Sequence, residues 1–258
     1  MGEVIFMSRF FVFQDLNIND QVTISGEDAH HIIRVLRYQT GDVIYISDGA
    51  NTESIGVILD IDTQGPSVKL KIIEKNKVKS ISPYITLFQG LPKGEKFDWI
   101  LQKNTEIGVS EFIPIITQRT VVNISPSKLG HRKNRWGKIV KEAAKQCMRM
   151  DIPKIGDVLN FDLALQEIKK YSLCIIPWEN EKEISLRHII KGMNENKGIS
   201  KIAVFIGSEG GFSKDEVEKA KAAGAIPVSL GPRILRTETA GVVVCSVLMY
   251  EIGDMGGK

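Results

Sequence analysis

Along the first 75 residues apolar positions come in short runs rich in β-branched and aromatic side chains. "RFFVF" (9–13), "QVTI" (21–24), "DVIYIS" (42–47), "SIGVILDI" (54–61) and "SVKLKII" (67–73) each predict a strand. Turn formers separate them: Gly41, Asp48-Gly49 and Gly65-Pro66. One segment breaks the pattern. "SGEDAHHIIRVLR" (25–37) has helical spacing, with Ser25 placed to cap and Asp28 near the positive end of the helix dipole. Strands this short and evenly spaced predict a small β-barrel over residues 1–74.

The stretch "EKNKVKSISP" (74–83) is polar, basic and poor in apolar residues, so residues 75–83 are expected to be a linker. Beyond it the texture changes to strand-like and helical segments in alternation. Strands are expected at 84–91, 111–117, 172–178, 201–207 and 226–230, and helices at 95–108, 131–149, 213–224 and from Thr237 onward. That alternation predicts an α/β domain over 84–258 with a mostly parallel sheet covered on both faces.

Two junctions in this second region carry candidate chemistry. In "IGSEGGFSKDEVEKA" (206–220) a strand ends at Gly207, and Ser213 and Glu216 form a capping box for the next helix. The glycines would also let a ligand approach the backbone at the carboxyl end of a strand, where open α/β sheets bind ligands. In "GPRILRTETAG" (231–241), Gly231-Pro232 forces a turn and Thr237 is placed as N-cap, with Glu238 in the first turn. The helix that follows, "AGVVVCSVLMYEI", is apolar nearly all round and so must be buried. Arg233 and Arg236 are left on a short loop, where they either pair with a carboxylate or face a ligand.

Composition narrows the classes. With 43% hydrophobic residues the 258-residue chain can bury a core and is not disordered. Three cysteines far apart suggest neither a disulfide framework nor a zinc site, and so a reducing compartment. The N-terminus lacks a basic region and cleavage site, so no signal peptide is expected, and the longest apolar stretch is too short for a bilayer. A cytoplasmic location and no membrane partner follow. No GxGxxG, GxxxxGK[ST], GxSxG or HExxH occurs, and the adjacent His30 and His31 would make a poor chelate, so no metal is expected.

The net charge of +3 names no partner, but its distribution suggests one. Between Lys128 and Arg149 eight basic residues meet one acid, Glu142. On a helix Lys138, Lys141, Lys145 and Arg149 would share one face, opposite Trp136, Val140, Ala143 and Cys147. One sign over that length favours a polyanion. In the small domain His30, Arg34 and Arg37 fall on one helical stripe. Two basic surfaces suit an extended nucleic acid, and Arg9, Lys93 and Arg132 join the expected RNA-binding set.

Several of these segments resemble one family. "GSEGGFSKDE", "LGPRILRTETA" and "LQKNTEIGV" with "QRTVV" are similar to the bacterial RsmE family of the SPOUT class, and "HHIIRVLRYQTGD" to its PUA-like RNA-binding barrel. The resemblance spans nearly the whole chain. It implies S-adenosylmethionine-dependent methylation of N3 of a uridine in 16S ribosomal RNA of the small subunit. It further implies a deep trefoil knot and a homodimer. The cofactor would be held by Pro177, Trp178, Gly207, Ser208, Glu209, Gly210, Gly211, Leu230, Gly231, Ile234, Leu235, Arg236, Thr237 and Ala240. Arg236 is the expected catalytic residue, facing the uracil oxygen, and Glu209 a second, as base or ribose contact. The alternatives are another RNA target for the same class, or a non-catalytic RNA-binding assembly protein.

Overall fold

A computed structural model of the protein describes residues 9–50, 52–77, 83–122, 126–195 and 200–255. The chain divides into two compact units: Met1–Ser80 with Ala144–Ile152, and Ile81–Ala143 with Pro153–Lys258.

In the first unit, β1 (Arg9–Phe11), β2 (Gln21–Ser25), β3 (Val43–Ser47), β4 (Thr52–Asp62) and β5 (Ser67–Lys77) form one sheet in the order β1-β3-β4-β5-β2. The pairing is antiparallel except for β1 with β3, and among the described residues it runs as a path ending at β1 and β2. Alternation does the packing. Phe10, Val22, Ile24, Ile44, Ile46, Ile58, Val68, Leu70 and Ile72 all enter a single core, with Ala29 and Ile32 from the helical segment. Register shifts after Ile55 and Ile58 mark bulges in β4, which bend the strand around that core.

Several expectations are corrected here. Ser25 ends β2 and caps nothing; helix α1 (Glu27–His30) starts from Gly26 without a side-chain cap. The chain then continues as a π-helix over His31–Leu36 and ends with Arg37 in the left-handed region. Wider i→i+5 turns mean that His30, Arg34 and Arg37 no longer lie on one stripe, although all three are exposed. The expected linker is strand as far as Lys77, where Lys75 pairs with Asp15, and residues 78–82 lie outside the described residues.

Arg9 is no surface cation. It is 5% exposed, ion-paired with Glu53 and donating to the carbonyl of Met148. That carbonyl belongs to Ala144–Ile152, a segment from the middle of the chain that packs in the first unit. Lys145 pairs there with Asp28, Arg149 is 7% exposed and holds Asp151, and Ser47 donates to the carbonyl of Met150.

The second unit has a seven-stranded, all-parallel sheet. Its strands are β6 (Tyr84–Gly90), β7 (Glu111–Ile116), β8 (Lys154–Ile155), β9 (Leu159–Asn160), β10 (Leu173–Pro177), β11 (Lys201–Ile206) and β12 (Ile226–Val228), in the order β12-β10-β11-β6-β7-β8 with β9 also on β7. Every described pairing is parallel, and β6, β10 and β11 are buried on both faces. Near-continuous apolar runs are what such strands require.

The helices are α2 (Lys96–Ile107), α3 (Pro126–Gln146), α4 (Phe161–Gln166), α5 (Leu186–Glu195), α6 (Lys214–Ala223) and α7 (Thr237–Ile252). Gly108 stops α2 at φ 119°, a conformation glycine adopts without strain. In α3 the expected apolar face is buried at Trp136, Val140 and Ala143, while Cys147 lies past the helix end and is half-buried. The basic face is shorter, because the helix ends at Gln146 and Met148 turns left-handed, leaving Arg149 outside it. The periodic reading missed β8, β9, α4 and α5; two-residue strands carry no measurable period.

Helix α7 departs from its expectation in a useful way. Gly241, Val244, Cys245, Leu248 and Met249 are buried, but Val242, Val243 and Val247 are only half-buried and Tyr250 is exposed. Burial raises the Cys245 thiol to about 12 and pushes Cys174 up as well, whereas Cys147 is half-exposed. Since the thiolate is the nucleophile, the native protein should react with one equivalent of a thiol reagent, at Cys147, and three after unfolding. Peptide mapping of the label checks this.

Candidate active site

Three neighbouring parallel strands, β12, β10 and β11, deliver their carboxyl ends to one place. The segments leaving them enclose a cavity of about 730 Å3. It is lined by residues 177–178 after β10, 206–212 after β11 and 229–238 after β12, together with Lys96, Glu179, Glu181, Lys182 and Ala240. All fourteen residues expected at the cofactor, from Pro177 to Ala240, line this single cavity. Open α/β sheets bind ligands at this end of their strands, where the order reverses.

The walls are held in place by backbone and buried polar contacts. Trp178 N donates to Val228 O at 3.0 Å, and Ser229 is bonded to Ile184 and Leu186 through the backbone. Residues 208–211 close a tight turn, with Gly211 N on Ser208 O at 3.0 Å. Thr237 is not the expected cap; Arg236 occupies that position without a side-chain bond. Instead the buried Thr237 hydroxyl donates to Gly207 O at 2.6 Å and accepts from Gln89 Nε2 at 2.8 Å. One threonine therefore joins the end of β6, the glycine turn and the start of α7.

The glycines serve the fold first. A Cβ on Gly90 would come within 2.4 Å of Ser208 N, and one on Gly210 within 2.8 Å of Arg119 Cβ. The close neighbours that exclude side chains here are other segments of the chain.

The two arginines resolve one open alternative. Arg233 and Arg236 are exposed at the cavity, and neither guanidinium has a hydrogen bond or ion pair among the described residues. A structural pairing would have placed a carboxylate within reach of each. Both remain available to an anionic or carbonyl-bearing ligand. Between them Ile234 is 85% exposed.

Glu209 behaves differently. Its Oε1 accepts from Lys93 N at 3.0 Å and Lys96 Nζ at 2.9 Å. Partial burial pushes its carboxyl up, but the bonds from Lys96 and the backbone amides outweigh this and hold it below the usual carboxylate range. A carboxylate so stabilised is a weak proton acceptor. Its visible work is to tie the β6–α2 loop to the glycine turn.

Of the expected RNA contacts, Lys93 and Lys138 are exposed, and Arg132 and Lys141 are half-buried. The basic run on α3 is partly neutralised, Lys133 by Asp157 and Arg135 by Glu95 and Asp98. Those acids lie far away in sequence, so the run looked unbalanced when read alone.

Known proteins similar to this chain are RNA methyltransferases. Residues 80–249 match the model of an RNA methyltransferase domain and residues 24–71 that of an RNA methyltransferase PUA domain. The chain is 35% identical over 254 residues to ribosomal RNA small subunit methyltransferase E of Bacillus subtilis, covering 95% of this chain and 97% of that one. The chain belongs to the small subunit methyltransferase E family. Its fold is that of solved proteins carrying the methyl donor. A Legionella pneumophila structure in complex with S-adenosylmethionine superposes with TM-score 0.85 at 30% identity, covering 96% of this chain and 99% of that one. The small subunit methyltransferase E of Neisseria gonorrhoeae, bound to S-adenosylmethionine, gives TM-score 0.85 at 26% identity over 96% and 99% of the two chains.

Within this methyltransferase fold, two supporting residues escaped the sequence reading. Gln89 reads as an ordinary position in a buried strand, and only its bonds to Gly90 O, Gly207 O and Thr237 show its part in the site. Arg119, although inside the family-like "QRTVV", has no pattern that announces a role. Its Nη1 donates to Gly210 O at 2.8 Å, and its own carbonyl accepts from Ser208 Oγ at 3.2 Å. Arg119→Ala removes both the guanidinium bond and the stem packed on Gly210. The expected result is a several-fold weaker affinity for the methyl donor with little change in melting temperature, since the residue is exposed. Calorimetric titration checks the first and a thermal melt the second.

Proposed function

We propose that this chain transfers a methyl group from S-adenosylmethionine to N3 of a uridine in 16S ribosomal RNA of the small subunit. The observation that carries the reading is the cavity at the ends of β10, β11 and β12, with two unpaired arginines at its edge. The match to small subunit methyltransferase E over nearly the whole chain supports the substrate class.

The residues present fit the methyl donor. A cavity of about 730 Å3 falls in the usual range for a ligand of this size. Trp178 Nε1 and Glu238 Oε2 are buried polar atoms without a partner, as expected where a ligand supplies one. When bound, the donor supplies a methyl group already activated on a sulfonium. The protein then has to position the uracil ring and stabilise the negative charge that appears when N3 loses its proton. Arg236 does this by donating to a uracil oxygen through the planar fork of its guanidinium. Glu209, held by Lys96 and Lys93, keeps the glycine turn closed rather than taking the proton.

The remaining parts of the reading follow the same site. The PUA-like RNA-binding domain expected over 1–74 extends through β5 to Lys77 and takes in 144–152, and the SPOUT domain expected over 84–258 comprises the rest of that range. A deep trefoil knot in that domain is supported by the 207–211 segment, which crosses Gly90 too closely for a side chain there and is bonded on its other side by the Thr237 hydroxyl. A homodimer is supported by the half-buried valine face of α7 and by exposed Trp99 and Tyr250 on α2 and α7. The protein works in the cytoplasm on RNA, reached by the exposed His30, Arg34, Arg37, Lys93 and Lys138.

The deciding experiment is methyl transfer to purified small subunits and to naked 16S rRNA, followed by nucleoside mass spectrometry. Appearance of 3-methyluridine at one site is expected. Methylation of a ribose or of another RNA would move the chain to a different target. Absence of donor binding would leave an RNA-binding assembly protein.

A further inference from the structure

The first turn of α7 places Glu238 on the wall of the cavity. Its Oε2 is cut off from solvent and meets no hydrogen-bond donor. The other acids of the wall are answered or open. Glu209 is bound by Lys96 and Lys93 N, Glu181 accepts from Glu183 N and Ile184 N, and Glu179 is exposed. Arg233 and Arg236, on the same loop, do not turn back to Glu238 but face outward. A buried carboxylate oxygen with neither a donor nor a counter-charge is costly, and such groups persist in proteins where a ligand completes them. The helix N-terminus offsets part of that charge but does not fill the empty lone pair.

We propose that Glu238 is the counter-charge for the cationic methionyl end of the methyl donor, an inference that rests on the function proposed above. A ribose hydroxyl could fill the lone pair, but it would leave the charge uncompensated. The ammonium of S-adenosylmethionine answers both deficits, bringing N–H donors and a positive charge, while its sulfonium brings charge alone. Glu238 is therefore a specificity-determining residue of the donor site. Without a ligand it is a destabilising one, and the bound donor relieves that cost.

Glu238→Gln keeps the shape and removes the charge. Titration calorimetry with wild type and variant, using S-adenosylmethionine and adenosine as ligands, tests the inference, with melting temperatures of the free proteins alongside. The donor should bind the variant roughly tenfold more weakly or worse, while adenosine, which lacks the methionyl end, binds both equally. The free variant should melt at the same temperature or higher. Equal weakening of donor and adenosine would assign Glu238 to the nucleoside and overturn the proposal. Unchanged donor affinity would do the same, and so would a lowered melting temperature with unchanged affinity, which is the mark of a structural carboxylate. Failure of the wild type to bind the donor at all is a distinct result, which removes the proposed function and this inference with it.

Discussion

Arg236→Ala should lower methyl transfer by about 100- to 1,000-fold while leaving the fold and the affinity for the methyl donor near wild type. The guanidinium is exposed and unbonded among the described residues, so removing it breaks no contact that holds the loop. The backbone of residue 236 does the structural work, as the N-cap of α7, whose carbonyl accepts from Thr239 N and Ala240 N, and alanine leaves both bonds in place. The loss should therefore appear in turnover. Arg236→Lys keeps the charge but not the planar fork, and should recover only part of the rate. Single-turnover kinetics on small subunits, paired with calorimetry of the donor, separates the two effects. A variant that turns over normally would exclude Arg236 from the chemistry.

Gly90→Ala should have the largest effect on stability of any glycine-to-alanine change among the described residues. The new Cβ would lie 2.4 Å from Ser208 N and 2.7 Å from Gly207 C. Both obstacles are backbone, in a turn pinned by Thr237 and by Arg119, so neither can swing aside as a flexible side chain would. Overpacking of this kind costs about 3 kcal/mol or more when backbone must move. The expected outcome is a melting temperature lowered by several degrees and loss of donor binding, because the displaced segment is a wall of the cavity. Gly241→Ala is the matching control. Its Cβ would meet Leu87 Cδ2 at 3.5 Å, an ordinary contact, and alanine is favoured inside a helix. If Gly90→Ala melts like wild type, the close crossing of β6 and the glycine turn is not as tight as described.

Much of the second unit was legible in the sequence for a simple reason. Strands buried on both faces must be continuously apolar, and β6, β10 and β11 are. The capping box at Ser213 and Glu216 also formed as read, with Glu216 N on Ser213 Oγ at 3.2 Å. One carboxylate oxygen of Glu216 further holds Gln118 N at 2.7 Å, a bond no local pattern announces. The basic residues were read less well. Arg9 and Arg149 are buried in the first unit, and Lys145 is paired with Asp28. Arg9 and Lys145 find their carboxylates 44 and 117 positions away, so charge counted along the chain could not balance them, whereas Arg149 pairs with Asp151 two positions on. The helix expected at 25–37 formed over 27–36, but its second half is π-helical, which local periodicity of 3.6 residues cannot announce.

By itself the sequence determined the alternation of strand and helix, the carboxyl-end loops as the place for chemistry, and a family resemblance through "LGPRILRTETA". These are local properties, set by side-chain periodicity and turn chemistry within a dozen residues. Only the tertiary structure decided which charges are free. It left Arg233 and Arg236 unpaired, bound Glu209, and stranded one oxygen of Glu238. Whether an ionisable group can act depends on partners brought to it by folding, and that information is not local to any stretch of the chain.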